Sequence, residues 1–296
     1  MKIIPPFMVK PANLVSNVPI TETLWTPGTY AFGVQRYVGT TIYEVVAIGG
    51  TSDEPVAGSM ATPPTWIAVG SINRFKMFDF VIGDATMRAG PIDVTITPMQ
   101  VVNAVALFQV QGNTVQVVMT DPVDGIVYDE TKSLVDNTGI SDWYQYFFAP
   151  VEKATEVAFF DLPSYGTANV RIVIDAGTEP TACGELIIGR SVTIGTTLQS
   201  FDFGIEDFSR KERDDFGNFI IVERRFAKLS NYDIFLENFQ VNAAFRELSK
   251  IRATPAVYVG NEKFPETIAL GFYRDFATLR TGPVTSEMTL EIEGLV

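Results

Sequence analysis

Short β-branched and aromatic runs, each closed off by Gly, Pro, Asn or Asp, fill this chain as far as Gly195, and nothing there repeats with helical spacing. The main runs are Ile42–Ile48, Trp66–Val69, Ile92–Ile96, Val101–Val110, Thr114–Met119, Glu156–Phe160, Val170–Ile174 and Glu185–Ile188. Turn formers such as Gly112-Asn113 and Asp124-Gly125 separate them. Many short strands at such spacing predict a β-sandwich or jelly roll over 1–197, and speak against strands alternating with crossover helices.

The pattern changes after Gly195. Strands are expected at Leu198–Phe203, Phe219–Ala227 and Asn231–Leu236. Val241, Ala244, Phe245, Leu248 and Ile251 then fall on one face of a helix that Thr254-Pro255 stops. Ala256–Val259, Ile268–Phe276 and Met288–Ile292 return to strands. The expected architecture is therefore mainly β: a sandwich over 1–197, then a smaller module over 198–296 with one amphipathic helix. The connector Gly195-Thr196-Thr197 is too short to let the two swing freely.

Composition narrows the chemistry. The chain has no histidine and a single cysteine, Cys183. Imidazole-activated nucleophiles, imidazole metal sites, internal disulfides and paired-thiol redox centres are thereby excluded. Twenty-two Lys and Arg stand against 35 Asp and Glu, a net charge of −13, so the basic field that grips nucleic acid is missing. Charged residues are only 19 % and hydrophobic ones 46 %. No run reaches the ~18 apolar residues a membrane span needs. The apolar excess points to surface covered by assembly, and an unpaired Cys183 suits synthesis in a cytoplasm.

Candidate sites are few. Asp121, Asp124, Asp129 and Glu130 carry oxygen donors, but their spacing is not that of a calcium loop, and Asp-Pro and Asp-Gly are ordinary turns. No nucleotide-binding glycine pattern, catalytic set, metal site or cofactor is expected. Trp25, Trp66, Trp143, Tyr144 and Tyr146 could stack on sugars beside Asp142, or fill a core. The densest charge cluster is Arg210, Lys211, Glu212, Arg213, Asp214 and Asp215. It reads either as a subunit-docking loop or as a solvated hairpin tip.

Three stretches carry a resemblance. Pro63–Asp79 (PPTWIAVGSINRFKMFD), Asp207–Ala227 (DFSRKERDDFGNFIIVERRFA) and the pair Gly271–Phe276 with Leu290–Leu295 are similar to segments of tailed-bacteriophage tail tip and baseplate proteins. The resemblance implies a galactose-binding-like jelly roll followed by a split barrel like that of tail-tube and distal-tail proteins. It further implies a non-enzymatic virion component made in the host cytoplasm, whose partners are other tail or baseplate proteins and further copies in a ring. A carbohydrate-binding adhesin touching a host surface glycan is the alternative. Neither nucleic-acid binding nor membrane insertion is expected. In the first stretch Trp66, Asn73, Arg74 and Asp79 form the candidate structural or contact motif. Arg74 and Asp79 are expected either to pair internally or to meet a glycan.

Overall fold

The computed structural model describes residues 1–81, 83–136, 142–148, 152–213, 216–262 and 264–295. Strands make up 52 % and helices 11 %, so the expected mainly-β class holds. Strands form where the runs were read: Ile92–Ile96, Ala104–Gln111, Thr114–Asp121, Asn169–Asp175 and Pro180–Gly189. Gly112-Asn113 does not make a hairpin, however. The strand before it pairs within a four-stranded sheet and the strand after it within a five-stranded one.

These two sheets form the sandwich. One runs Gly125–Ser133, Thr114–Asp121, Asn169–Asp175, Ile92–Ile96, Leu14–Ser16; the other runs Val157–Phe159, Ala104–Gln111, Pro180–Gly189, Thr86–Ala89. Alternate residues of the first, among them Ile92, Val94, Val117, Met119 and Ile172, meet Val105, Leu107, Leu186 and Ile188 of the second in one core. The second sheet is buried on its other face too. Ala104, Ala106, Phe108 and Ile187 pack there on Ile4, Val257, Val259, Ile268 and Leu270. Burial on both faces explains why Ala104–Gln111 and Pro180–Gly189 read as near-continuous apolar runs instead of alternating ones.

The third layer is a seven-stranded sheet in the order Val192–Thr193, Lys2–Ile4, Ala256–Val259, Ile268–Arg280, Thr285–Gly294, Phe226–Glu237, Thr196–Asp207. Its two edge strands are separated in the chain only by Ile194-Gly195, so the sheet must curl until its edges meet. The Thr197 hydroxyl, 2.8 Å from the Gly260 carbonyl, ties the seam. A Cβ at Gly195 would lie 2.6 Å from the Phe235 carbonyl, which leaves room only for glycine at that corner. Inside the curl lies the helix Val241–Lys250. Ala244, Leu248 and the following Ile251 bury against Tyr232, Ile234, Leu290 and Ile292. Phe245, expected on the same face, stays 59 % exposed at the stripe's edge and meets Phe276 edge-on. The first strand and Val192–Thr193 come from within 1–197 yet belong to this sheet, so the two parts share both a sheet and a core.

A small three-stranded sheet, Gln35–Val38, Thr41–Val45 and Trp66–Ser71, sits beside the sandwich. Short helices occur at Pro55–Ser59 and Trp143–Phe148, with a 3-10 helix at Asn73–Phe78, none of them foreseen from periodicity. No helix among the described residues is long and apolar enough to cross a membrane.

Candidate functional site

The motif around Trp66 is an internal tie. Trp66 is fully buried, its indole N–H donates to the Asp53 carbonyl, and its ring meets Tyr30 edge-on. A sugar has no access to that ring. Gly58 makes the room: a Cβ there would lie 2.5 Å from Trp66 Cδ1. Asn73 uses its amide as a strand would, donating to the Met87 carbonyl and accepting from the Met87 N–H, both at 2.9 Å. Its own N–H reaches a Glu22 carboxylate oxygen.

Arg74 and Asp79 do not pair. The Arg74 Nε donates to the Val18 carbonyl, 56 residues back, while Asp79 accepts from the Val81 N–H two residues on. The Arg74 bond ties the 3-10 helix to the Val18 backbone, while Asp79 holds its own turn and also accepts from the Ser71 hydroxyl.

Below that loop lies a group the sequence hid. Glu185 stands in the midst of a doubly buried strand with no exposed surface. Both carboxyl oxygens accept from the Phe80 N–H, at 3.2 and 3.1 Å. Phe80 adopts φ 62, which aims that N–H inward. Burial first, then the neighbouring Asp79 carboxylate, pushes the Glu185 carboxyl up to about 8, against the Phe80 hydrogen bond. Asp79 is raised too, by burial. Cys183, two residues away and wholly buried, is likewise raised by burial, so no reactive thiolate forms.

The carboxylates at 121–130 serve a turn. Asp121 accepts from the N–H groups of Val123 and Asp124 and from the Thr167 hydroxyl, which, hydroxyl first, hold it below the usual carboxylate range. No group of three or more His, Cys, Asp or Glu among the described residues is placed to hold a metal ion.

The feature that stands apart is an arm. Beyond Asp207 and Phe226 the two long strands continue as a hairpin, Arg210–Arg213 paired with Phe219–Val222, reaching roughly 20 Å past the sheet. Every described residue from Arg210 to Phe226 is exposed. Phe219, Ile220, Ile221 and Val222 are 63, 51, 66 and 46 % exposed, and Phe216 at the tip 91 %. Phe203, Ile205, Phe208 and Phe226 extend the apolar surface over the root. Successive strand residues point to opposite faces, so both faces of the hairpin are apolar. Of the expected docking cluster, Arg210 pairs with Glu212, Lys211 pairs with Asp207, and Arg213 lies over the Phe219 ring at 4.4 Å. Asp214 and Asp215 lie outside the described residues. At the root, Arg225 donates to the Gly83 carbonyl and anchors the arm to the sandwich.

A second exposed aromatic group is the helix Trp143–Phe148. Trp143 is 79 % and Tyr144 72 % exposed, with Phe147 stacked on Trp143 and Phe148 beside Tyr144. Trp25 is half-buried, which leaves Trp143 as the one tryptophan among the described residues that is open to solvent. The side chain of Tyr146 lies outside the described residues. One cavity opens at the seam of the curled sheet between Met1, Thr197 and Gly260, and two others lie where Phe108 and Glu156 of the sandwich face Ile268 and Leu270 of the curled sheet. No protein-family model matches the chain, and no curated protein matches it.

Proposed function

We propose that this protein is a non-enzymatic structural component of a bacteriophage tail tip or baseplate, carried in the virion and assembling through protein–protein contacts. The observation that carries the reading is the arm. Phe216, Phe219, Ile220, Ile221 and Val222 leave their side chains largely in solvent, an apolar surface of the kind that marks a protein–protein contact. A lone two-stranded hairpin is at best marginal in water, so an arm with two apolar faces needs a partner to cover it. The tail assignment rests on the three resembling stretches, one of which is the arm itself. On this reading the sandwich is the outward part, and the curled sheet with its arm, which takes in Lys2–Ile4 and Val192–Thr193, is the assembly module. Mass spectrometry of purified virions tests it: the chain is expected among the structural proteins at several copies per particle, and its absence overturns the reading.

A carbohydrate-binding adhesin is the second reading, favoured by the exposed rings of Trp143 and Tyr144. Glycan-array binding that vanishes in Trp143→Ala would support it, and an array without signal would remove it.

A further inference from the structure

The arm is jointed where it leaves the curled sheet. The last pair of the sheet is Asp207 with Phe226 and the first pair of the hairpin is Arg210 with Val222, so three residues, 223–225, oppose two, Phe208 and Ser209. An extra residue on one strand interrupts the ladder and bends it, which makes this the hinge of the arm. Two bonds cross the hinge: the Phe208 N–H donates to the Arg225 carbonyl at 3.3 Å, and the Arg224 N–H to the Ser209 hydroxyl at 3.0 Å. The Lys228–Glu156 ion pair holds the strand on the sheet side. Within the hinge the tie to the sandwich is Arg225, whose Nη2 donates to the Gly83 carbonyl at 3.3 Å. A Cβ at Gly83 would lie 1.6 Å from the Arg225 Nη1, so the guanidinium rests directly on bare backbone.

That backbone leads to Glu185. The Asp84 N–H donates to the Val81 carbonyl, the Val81 N–H to the Asp79 carboxylate, and the Phe80 N–H to both Glu185 oxygens. Phe80 sits at φ 62 with its ring on the core shared with the curled sheet, a conformation that a non-glycine residue keeps only while its surroundings hold it. The charged groups nearby are committed elsewhere. Arg74 donates to the Val18 carbonyl, Lys76 pairs with Asp84, and Arg88 donates to the Pro91 carbonyl. The adjoining strand Ala104–Gln111 and the facing Val257, Val259, Ile268 and Leu270 carry no charge, and burial keeps Cys183 neutral. Asp79 remains as the facing charge, and it repels a second carboxylate.

We propose that the proton on Glu185 latches the arm: while it is held, the Phe80 turn stays seated and Arg225 keeps its place on Gly83, and its loss lifts the turn and frees the hinge. Sealed under the turn, the Glu185 carboxyl is pushed up to about 8; with the turn lifted and water admitted it returns toward 4.5. Opening is therefore linked to the release of one proton. The open fraction rises about tenfold per pH unit between those values, roughly a thousandfold from pH 5 to 8, and then levels off. The latch regulates the surface that the assembly reading invokes, and its bearing on assembly rests on that reading. The latch itself is tested in the separated chain, while virion composition decides the reading.

Amide hydrogen exchange followed by NMR from pH 5 to 8.5, corrected for base catalysis, provides the test. The Phe80 and Phe208 N–H groups are expected to lose protection together, about tenfold per pH unit up to pH 8, while exchanging faster than the Ile172 N–H of the sandwich core. Glu185→Gln should flatten both profiles. Arg225→Ala should leave Phe80 dependent on pH but Phe208 weakly protected throughout. Asp79→Asn removes the facing charge and should move the levelling-off to lower pH. A flat Phe208 profile beside a falling Phe80 profile overturns the proposal, as does a pH dependence that survives in Glu185→Gln. An unmoved levelling-off in Asp79→Asn, or a Phe208 profile unchanged in Arg225→Ala, also overturns it. So does Phe80 exchange no faster than that of Ile172, because opening would then be unfolding of the whole chain.

Discussion

Replacing Glu185 with glutamine probes the tightest electrostatic feature of the fold. The carboxyl is fully buried, accepts only from the Phe80 N–H, and lies near Asp79, so its pKa rises from 4.5 to about 8. Between those values the folded chain keeps a proton that the unfolded chain releases, and stability falls as pH rises. The slope is about −1.4 kcal/mol per pH unit, and over 3.5 units the loss is on the order of 5 kcal/mol. Below pH 4.5 the full stabilisation is present; above pH 8 the loss is complete. Glutamine keeps the shape and the acceptor but cannot ionise. Urea unfolding from pH 5 to 8.5 should show Glu185→Gln overtaking the unmodified chain, with a difference that grows with pH and levels off above 8. Curves that stay parallel within ~0.5 kcal/mol would refute the reasoning, because Glu185 would then not be carrying its proton into the fold.

Gly58→Ala drives a methyl to 2.4 Å from Thr65 Oγ1 and 2.5 Å from Trp66 Cδ1, and should cost about 1–3 kcal/mol in thermal or urea unfolding. Phe108→Ala removes a ring from the core shared by the sandwich and the curled sheet, so a loss of about 3–5 kcal/mol is expected. Both parts should then still melt in one transition, monitored by tryptophan fluorescence and far-UV circular dichroism together. Asn73→Ala removes two hydrogen bonds to the exposed Met87 backbone, which water can partly replace, and should cost about 0.5–1.5 kcal/mol in urea unfolding. Ile221→Ser, by contrast, should change unfolding of the separated chain by no more than ~0.5 kcal/mol while weakening association.

Much of the fold was legible because local pattern and burial agree. Ile92–Ile96 and Ala256–Val259 read as strands and are strands, and the Ala244, Leu248, Ile251 spacing marks the helix that fills the curled sheet. Long-range pairing left no local trace: nothing in Lys2–Ile4 announces that it joins a sheet built mostly from residues beyond 195. The arm was misread in part for a related reason. Phe219–Ala227 is as apolar as any core strand, and period alone cannot tell a covered face from an uncovered one. The chain breaks that run into Phe219–Val222 and the start of Phe226–Glu237, and leaves the first piece in solvent. Glu185 was hidden because one carboxylate among eight buried neighbours in its strand looks like an edge residue until the third layer is in place. Arg74 and Asp79 suggested a pair from their charges, yet backbone groups lay nearer to each.

On this reading the arm exists to be covered by another protein surface. Its most direct test is the solution mass of the intact chain, measured by size exclusion with light scattering across a hundredfold range of concentration. The expected mass is a multiple of 32.6 kDa, falling to 32.6 kDa itself for Ile221→Asp. A mass of 32.6 kDa for the unmodified chain at every concentration, unchanged by that substitution, would contradict it.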